Sequence, residues 1–218
     1  MKIVAMTDLH GNTSGIDEAG DVLAAADVVL LTGDLTNFGG RRDAARVLNA
    51  LREHNDSVLA VHGNCDRPDV ADYLSEEGIS LHARSVERDG VVLLGLGGSL
   101  PAPAGTPSEY DEDELAAFLQ QAARGADDSL PWVVVSHQPA ADTALDRVRG
   151  GRHVGSRSVR TFIEEHEPLV CFSGHIHEAD GTDAIGPTKL INPGPLRHGG
   201  YAWAVVEDGL RELEVRRL

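Results

Sequence analysis

The segment from Cys171 to Gly181 reads CFSGHIHEADG, an apolar run that passes through a glycine into two histidines. His175 and His177 are separated by one residue, at a place where neither can add to a hydrophobic core. A short apolar run with polar residues on both sides is typical of a buried strand. The segment therefore predicts a strand that delivers two imidazoles at its carboxyl end.

The same pattern recurs along the chain. Between the apolar runs lie helical patterns at 43–54, 69–77, 111–124 and 156–166, and strands that alternate with helices predict an α/β fold. The runs after Lys189 follow one another without helices, which predicts an antiparallel stretch, and the alternating LRELEVRR predicts an edge strand. The predicted strands are KIVAMTD, DVVLLTGDL, SVLAVHGNCD, VVLLGLGGS, PWVVVSHQP, PLVCFSGHIH, TKLINPG, YAWAVVED and LRELEVRR.

Length and composition bound the organisation of the chain. Its 218 residues are 41% hydrophobic, which predicts one globular domain over 1–218. No apolar run approaches the ~20 residues of a membrane span, so we expect no membrane contact. The opening MKIVAMTDLHGN lacks the features of a signal peptide and predicts a first strand. Two cysteines, Cys65 and Cys171, are too few for a disulfide framework, which favours a reducing cytoplasm.

The charge of the chain limits its partners. Acids outnumber bases 35 to 19, which gives a net charge of −16 and excludes nucleic acid backbones as the expected partner. Almost all bases are arginine, with Lys2 and Lys189 the only lysines. Two interpretations stay open. Either the source is salt-loving and concentrated salt screens the self-repulsion, or a GC-rich genome favours arginine and the acidic surface serves solubility.

Polar side chains follow five of the predicted strands at the point where each strand ends. In open α/β sheets this carboxyl edge is where ligands bind. Residues i and i+2 of an extended chain point to the same side, so Asp8 and His10 are expected to converge, as are His175 and His177. The full set comprises Asp8, His10, Asp34, Asn64, His137, His175 and His177.

These two carboxylates, four imidazoles and one amide are expected to bind metal. Mixed nitrogen and oxygen donors suit manganese, iron, zinc, cobalt or nickel better than calcium. The set exceeds what one tetrahedral or octahedral ion needs, so we expect two divalent ions with one carboxylate bridging them. A lone histidine in such a strand is more often structural, but this many ligand-type residues at strand ends favour a metal site.

The ordered motifs DLH, GDL, GNCD, SHQP and GHIH resemble those of the calcineurin-like metallophosphoesterase superfamily, over most of the chain from Ile3 to about Pro195. Each motif is weak alone, whereas the ordered set is specific. The resemblance implies a four-layer α-β-β-α sandwich, in which two mixed sheets are flanked by helices and a dinuclear site lies at the sheet edge. It also implies two ligand sets that share Asp34. They are Asp8, His10, Asp34 and His177 for one ion, and Asp34, Asn64, His137 and His175 for the other.

The activity implied by the resemblance is hydrolysis of a small phosphate-ester substrate, with a phosphodiesterase favoured over a monoesterase, by attack of a metal-bridging hydroxide. Two divalent ions outweigh two carboxylates and one hydroxide, so the centre stays cationic and attracts phosphate. Paired ions also clamp the attacking and leaving oxygens and lower the pKa of bound water. Manganese is the first expectation for the metal, with iron, zinc, nickel and cobalt as alternatives.

A competing hypothesis belongs to a different class of function. Some proteins with this fold are non-catalytic scaffolds for protein interactions, and a metal-binding scaffold is the alternative to the enzyme. The intact ligand set speaks against it. The sequence leaves the oligomeric state open, including a homo-oligomer.

The third motif departs from the commonest family pattern, because Cys65 stands where many members have a histidine. There the histidine is taken to protonate the leaving oxygen or to steady the phosphate, and a subset of small members also has GNCD. A thiol with a pKa of ~8.5 is a weaker partner for phosphate than an imidazole. We expect Asp34, Asn64 and Cys65 to act in catalysis, with either a preference for good leaving groups or acid help from elsewhere.

Three histidines outside the ligand set are candidates for that help. His198, in PGPLRHGG, is the best of them, and His62 and His153 are poorer. The alternative for each is an exposed or structural histidine.

Several other features have two interpretations each. Asp66 is expected either to support a ligand or to cap the following helix. The loop at 99–110, rich in proline and glycine, is either a rim or lid of the site or a plain surface connection. Arg147, Arg149 and Arg152 are expected either to bind a substrate phosphate or to form surface salt bridges, and the salt bridges are favoured.

Overall fold

The computed structural model describes residues 1–218 and arranges their strands in two sheets that face each other, with helices on both outer sides. The strands are β1 (Lys2–Met6), β2 (Val28–Thr32), β3 (Val58–Val61), β4 (Arg84–Arg88), β5 (Val91–Leu96), β6 (Trp132–Ser136), β7 (Val170–Phe172), β8 (Gly181–Ile185), β9 (Thr188–Asn192), β10 (Gly200–Val206) and β11 (Leu210–Arg217). The helices are α1 (Ser14–Glu18), α2 (Gly20–Ala24), α3 (Arg41–Arg52), α4 (Pro68–Glu76), α5 (Glu112–Ala123) and α6 (Arg157–His166). None of them has the length and apolarity needed to cross a membrane.

Both sheets mix parallel and antiparallel pairs. The first has the order β11-β10-β1-β2-β3, in which β1, β2 and β3 are parallel and β10 and β11 are antiparallel to their neighbours. The second has the order β4-β5-β6-β7-β9-β8, with parallel central strands and an antiparallel strand at each edge. The predicted α/β sandwich, the antiparallel C-terminal stretch and the edge position of LRELEVRR are confirmed.

The central strands are apolar because they are buried on both faces. In β1, Ile3 packs between the two sheets, whereas the next residue, Val4, packs under the helices of the outer layer. On the other sheet, Phe172 fills the layer between the sheets and the adjacent Cys171 faces α5 and α6. This continuous burial explains why the strands read as unbroken Val, Ile and Leu runs. It also fixes the strand ends rigidly in space.

The local signals for the longer helices agree with the structure within two residues. Asp111 caps α5, since its side chain accepts from the N–H of Glu114 while the Glu114 carboxylate accepts from the N–H of Asp111. Ser156 caps α6 by accepting from the N–H of Val159, at 3.1 Å. The predicted spans at 43–54, 69–77, 111–124 and 156–166 correspond to α3, α4, α5 and α6.

Two strands and two short helices were not predicted. The β4 segment RSVER and the β8 segment GTDAI are edge strands with mostly exposed or half-exposed residues, so their side chains carry no apolar run. They are held by backbone pairing to β5 and β9 instead. The helices α1 and α2 span only five residues each, too short to show a helical period.

Candidate metal centre

The carboxyl ends of β1, β2 and β3 in one sheet meet those of β6 and β7 in the other, and this is where the predicted ligands gather. Two glycines permit the close approach. A Cβ atom on Gly174 would overlap with the hydroxyl of Thr7, and one on Gly63 would overlap with the carboxylate of Asp34. Any side chain at these positions would push the loops of the centre apart.

The backbone of the centre is left-handed at four predicted ligands. Asp8, His10, Asp34 and His175 have φ values of 52°, 47°, 51° and 67°. The expectation that Asp8 and His10 converge as alternate residues of an extended strand is therefore wrong in its mechanism, because β1 has already ended at Met6. The same holds for His175 and His177, because β7 ends at Phe172. The side chains of Asp8 and His10 do converge, but by left-handed turns. Non-glycine residues in this region cost about 1–3 kcal/mol each and cluster at functional sites.

One half of the centre is formed by Asp8, His10 and His177. Nε2 of His177 lies 3.1 Å from Oδ1 of Asp8 and 3.3 Å from Nε2 of His10. Nε2 of His10 is 4.0 Å from the same Asp8 oxygen. The three ligand atoms thus surround a common point within reach of one ion.

The other half is formed by Asp34, Asn64 and His137. Nε2 of His137 lies 2.9 Å from Oδ1 of Asn64 and 3.5 Å from Oδ1 of Asp34. The second oxygen of Asp34, Oδ2, is 3.8 Å from Nε2 of His10. Asp34 therefore lies between the two halves, in the position that a shared ligand would occupy.

The hydrogen bonds around His137 show that this half fits a cation. Its Nδ1 lies 2.8 Å from the carbonyl oxygen of Thr32, which can only accept, so Nδ1 carries the proton and Nε2 keeps its lone pair. On the opposite side, the hydroxyl of Thr106 donates to Glu109 at 2.6 Å and accepts from Nδ2 of Asn64 at 3.1 Å. The amide oxygen of Asn64 is thereby directed at His137.

Two acceptors consequently face each other at 2.9 Å, with the Asp34 carboxylate beside them. A positive charge between them resolves this conflict, and the mixed nitrogen and oxygen donors suit a transition-metal ion. The clustered Asp and His residues are thus suited to bind divalent metal ions.

The electrostatics of the two carboxylates also favour a bound cation. Burial opposes ionisation of Asp8, but the hydrogen bonds from His177 and Thr7 and the charge of His177 outweigh it and lower the pKa of Asp8 to about 2. Burial is the main reason that the pKa of Asp34 is raised, and the charge of Asp8 adds to it. Two buried carboxylates ionise together only where cations compensate them.

The imidazoles respond to their separate surroundings. Burial lowers the pKa of His175 to about 3, and burial also lowers the pKa of His10. The hydrogen bond with Asp8 raises the pKa of His177. His10 and His175 are therefore neutral near pH 7 and keep a lone pair for a ligand.

His175 occupies a different position from the other predicted ligands. Its ring lies edge-on to His137 with centroids 5.1 Å apart, and its backbone N–H donates to Oδ2 of Asp8 at 3.1 Å. Its ring nitrogens are not in the tight groups formed by the other Asp and His residues. The structure thus brings all seven residues to one edge, with His175 at the border of the cluster.

Cys65 lies inside the centre. Its sulfur shares a tight group of ligand atoms with His10 and Asp34, and its backbone N–H donates to Oδ1 of Asp34 at 2.8 Å. Burial, followed by the charge of Asp34, raises the pKa of the Cys65 thiol well above its ordinary value. In the metal-free protein this residue is a neutral thiol beside the carboxylate of Asp34.

Asp66 supports the loops of the centre. Its fully buried carboxylate accepts from the N–H groups of Leu35 and Thr36 after β2, at 3.1 and 2.8 Å, and from that of Gly63 after β3, at 2.8 Å. It makes no cap to α4, whose N-cap residue is Arg67. Of the two interpretations, helix capping is wrong, and Asp66 ties together the loops that carry Asp34 and Asn64.

The three candidate acid histidines lie outside the cluster. His62 is buried against His82 and Tyr110, and burial lowers its pKa well below the ordinary value. His153 is held by the buried carboxylate of Asp146, with 2.6 Å between Nδ1 and Oδ1. His198 is exposed and reaches the centre only through its neighbour in the chain, Arg197.

Sequence reasoning missed Arg197, Thr106 and Glu109. The guanidinium of Arg197 lies 3.1 Å from Nδ1 of His177, on the solvent side of the centre. Thr106 and Glu109 belong to the 99–110 loop, which is a rim of the centre and not merely a surface connection, since it contacts Asn64. No local pattern marks these residues, because their role arises only where separate loops meet.

A family model described as calcineurin-like phosphoesterase matches residues 1–179. A relative from Methanocaldococcus jannaschii, described as an uncharacterized protein, is 36% identical over 206 residues, which cover 92% of this chain and 91% of the relative.

Solved structures share the architecture at lower identity. A Thermus thermophilus protein superposes with a TM-score of 0.77 at 20% identity, over 99% of this chain and 98% of its own. A structure described as a novel archaeal phosphodiesterase superposes with a TM-score of 0.52 at 16% identity, over 100% of both chains. At these identities the likeness establishes the fold.

Proposed function

This chain belongs to the calcineurin-like phosphoesterase family and is a metal-dependent phosphoesterase, and from that premise we propose that it hydrolyses phosphodiesters with two divalent ions. The observation that carries the proposal is the pair of facing acceptors on His137 and Asn64, flanked by Asp34. A second ion fits the adjacent group of Asp8, His10 and His177.

In this proposal Asp34 is shared between the ions, and His175 completes the second set from the border of the cluster. When bound, the ions would supply positive charge for the phosphoryl group and an activated water. The protein's own part is orientation. Thr32 fixes the tautomer of His137, and the Thr106–Glu109 pair fixes the amide of Asn64.

The environment favours a diester over a monoester. A phosphodiester carries one negative charge, whereas a monoester approaches two near neutral pH, and the single net positive charge of two divalent ions with Asp8, Asp34 and one hydroxide balances only the first. The raised pKa of Cys65 keeps a neutral thiol where many family members have an imidazole. Without that imidazole, the centre is suited to leaving groups that depart without strong acid help.

The test is hydrolysis of bis-p-nitrophenyl phosphate and of p-nitrophenyl phosphate by the chelator-treated protein after addition of Mn, Ni, Co or Zn. We expect metal-dependent turnover of both esters, with the larger kcat/KM on the diester. A larger kcat/KM on the monoester overturns the diester assignment. No turnover with any metal, in a protein that still binds metal, favours the scaffold.

The metal, the location and the salt requirement belong to the same proposal. We propose manganese as the native metal and the cytoplasm as the compartment. Running the assay and thermal unfolding across a KCl series tests the salt-loving origin, since equal stability at low and high KCl removes it.

A further inference from the structure

A cleft of about 420 Å³ lies beside the candidate metal centre. Its base contains His175, the ligand at the border of the centre, and Gln138, the chain neighbour of His137. One wall is the first part of the rim loop, Leu100 to Pro103, and the other wall is the segment from Val148 to Gly155. A cleft of this volume is within the range of small-molecule sites, about 300–1,000 Å³.

The two walls are joined by one buried side chain. Gln138 is fully buried, its Oε1 accepts from the N–H of Leu100 at 3.1 Å, and its Nε2 donates to the carbonyl of Val154 at 2.9 Å. Because both ends of the amide are engaged across the cleft, Gln138 sets the distance between the walls. The cleft is therefore built into the fold, next to the residue that the proposed function assigns to metal.

The second wall is fixed from behind. The buried carboxylate of Asp146 accepts from the backbone N–H groups of Thr143 and Gly155, both at 3.0 Å, and from Nδ1 of His153 at 2.6 Å. Nε2 of His153 then accepts from Nε of Arg147 at 3.2 Å. His153 thus serves to hold the wall, and its Nε2 is directed at Arg147.

The charge of the cleft is opposite to that of the protein. No carboxylate residue is among its lining residues, whereas four other surface clefts each include at least one. Arg152 lines it, and the guanidinium groups of Arg147, Arg149 and Arg152 form no salt bridge in a chain with 35 acids. The expectation that these arginines are paired on the surface is therefore wrong.

We propose that this cleft binds the organic part of the phosphate ester, and that it selects substrates whose organic part has an apolar face and a second anionic group, phosphate or carboxylate. Leu100, Val148, Val154 and Ile176 contact the apolar face, and Arg152 pairs with the second anion. The inference deepens the proposed function, since the reacting phosphate lies at the adjacent centre.

Binding tests this selection without relying on turnover. The probes are thymidine 3′,5′-bisphosphate and thymidine 5′-monophosphate, titrated calorimetrically into Mn-loaded protein without free metal. We expect the bisphosphate to bind about 10-fold more tightly or better, the value of one charge-assisted contact. Arg152→Ala should abolish the difference, and Arg124→Ala, at the exposed end of α5, should keep it. Equal binding of both probes by the wild type overturns the proposal.

A second pair of variants tests the apolar part. Ala102→Phe fills the cleft from the rim loop, and Ala104→Phe adds the same ring at an exposed position of that loop outside the cleft. We expect Ala102→Phe to weaken binding of thymidine 5′-monophosphate about 10-fold, since it displaces the organic part, with no change for Ala104→Phe. The same affinity in both variants overturns the proposed place of the organic part.

Hydrolysis distinguishes this inference from the proposed function. The esters are thymidine 5′-(p-nitrophenyl phosphate) with and without a 3′-phosphate, and Arg152→Ala should raise KM for the 3′-phosphorylated ester alone. Selective binding without metal-dependent hydrolysis would overturn the proposed function and leave the cleft assignment standing. Metal-dependent hydrolysis of both esters with equal KM would support the proposed function and overturn the cleft assignment.

Discussion

The candidate metal centre and the aromatic cluster of His62, His82, Tyr110 and Phe118 both bury imidazole rings, but the rings meet different partners. In the aromatic cluster His82 packs edge-on to His62 and Phe118, with ring centroids 4.7 and 4.5 Å apart, and stacks on Tyr110. Nδ1 of His82 accepts from the N–H of Gly97 at 3.0 Å, and Nε2 of His62 lies 3.3 Å from the Tyr110 hydroxyl. No carboxylate charge influences either ring.

In the metal centre the imidazole nitrogens instead face oxygen acceptors. His137 meets Asn64 at 2.9 Å, and His177 meets Asp8 at 3.1 Å. Its backbone is left-handed at four predicted ligand positions, whereas neither His62 nor His82 has a positive φ. Burial of histidine therefore does not identify a site. Facing acceptors, buried carboxylates and a strained backbone do, because each is costly without a ligand.

The sharpest test of this comparison is to remove the carboxylate of Asp34, which lies between the two halves of the centre. Asp34→Asn should lower metal-dependent kcat on bis-p-nitrophenyl phosphate by at least about 10²–10³-fold, the scale for losing one preorganised electrostatic group. The amide oxygen still accepts from the N–H of Cys65, so the loop keeps its shape. Because burial raises the pKa of Asp34, the metal-free variant should be at least as stable as the wild type in urea unfolding.

The matched control lies in the aromatic cluster. His82→Asn retains an acceptor for Gly97 and should leave kcat within about 2-fold, because His82 has no carboxylate partner to lose. A comparable loss of kcat in both variants would show that the two histidine groups do not differ in function.

Added metal should stabilise variants of the aromatic cluster and variants of the metal centre to different extents. At a Mn²⁺ concentration 100 times Kd, the wild type should gain about 2.7 kcal/mol for each ion bound, since the ions bind only the folded centre. For a chain of this size each ion then raises Tm by about 5–10 °C. His82→Asn should show the full rise in thermal unfolding, and Asp34→Asn little of it. A full rise in Asp34→Asn would place the metal elsewhere.

The orientation of Asn64 gives a smaller effect. Thr106→Val removes the hydroxyl that directs the amide oxygen at His137, so Asn64 is free to turn and donate to Nε2 instead. We expect Mn²⁺ affinity to fall about 10–100-fold, as for other groups that orient a ligand. Chelator competition measures it, with Thr161→Val on the exposed side of α6 as control. Unchanged Mn²⁺ affinity in Thr106→Val would show that the Thr106 hydroxyl does not orient Asn64 for the metal.

The sequence predicted the central strands and longer helices because their apolar periods reflect burial directly. It also predicted which residues gather at the edge, since Asp8, Asp34, Asn64 and His137 each follow such a strand. The single domain over 1–218, the ligand roles and the catalytic roles of Cys65 and His198 stay predictions. The carboxyl ends of these strands meet at one edge because of the topology of the sheets. That topology follows from the order of the apolar runs along the chain.

What could not be predicted depends on contacts between distant segments. The left-handed turn at His175 cannot be read from the sequence GHIH, because tertiary contacts, and not the residue type, stabilise this backbone conformation. Thr106 and Glu109 read as parts of a plain loop until Asn64 is placed beside them. The edge strand β4 lacks an apolar run because its side chains are exposed or half-exposed, and only its backbone pairing to β5 marks it as a strand.

The smallest expected effect is the pH dependence of the aromatic cluster. Burial lowers the pKa of His82 to about 4, so between pH 6.5 and 4 the unfolded chain binds a proton there that the folded protein excludes. Stability from this residue is therefore complete above pH 6.5 and is lost as pH falls through that window. From pH 7 to pH 5.5 the loss should be about 1 kcal/mol, and His82→Asn should remove that part of the slope in urea unfolding of the metal-free protein. The carboxylates and histidines of the metal centre titrate equally in both proteins, so they cancel in the difference. An identical dependence of the free energy of unfolding on pH in wild type and variant would mean that His82 titrates as in the unfolded chain. The electrostatic difference between the aromatic cluster and the metal centre would then be refuted.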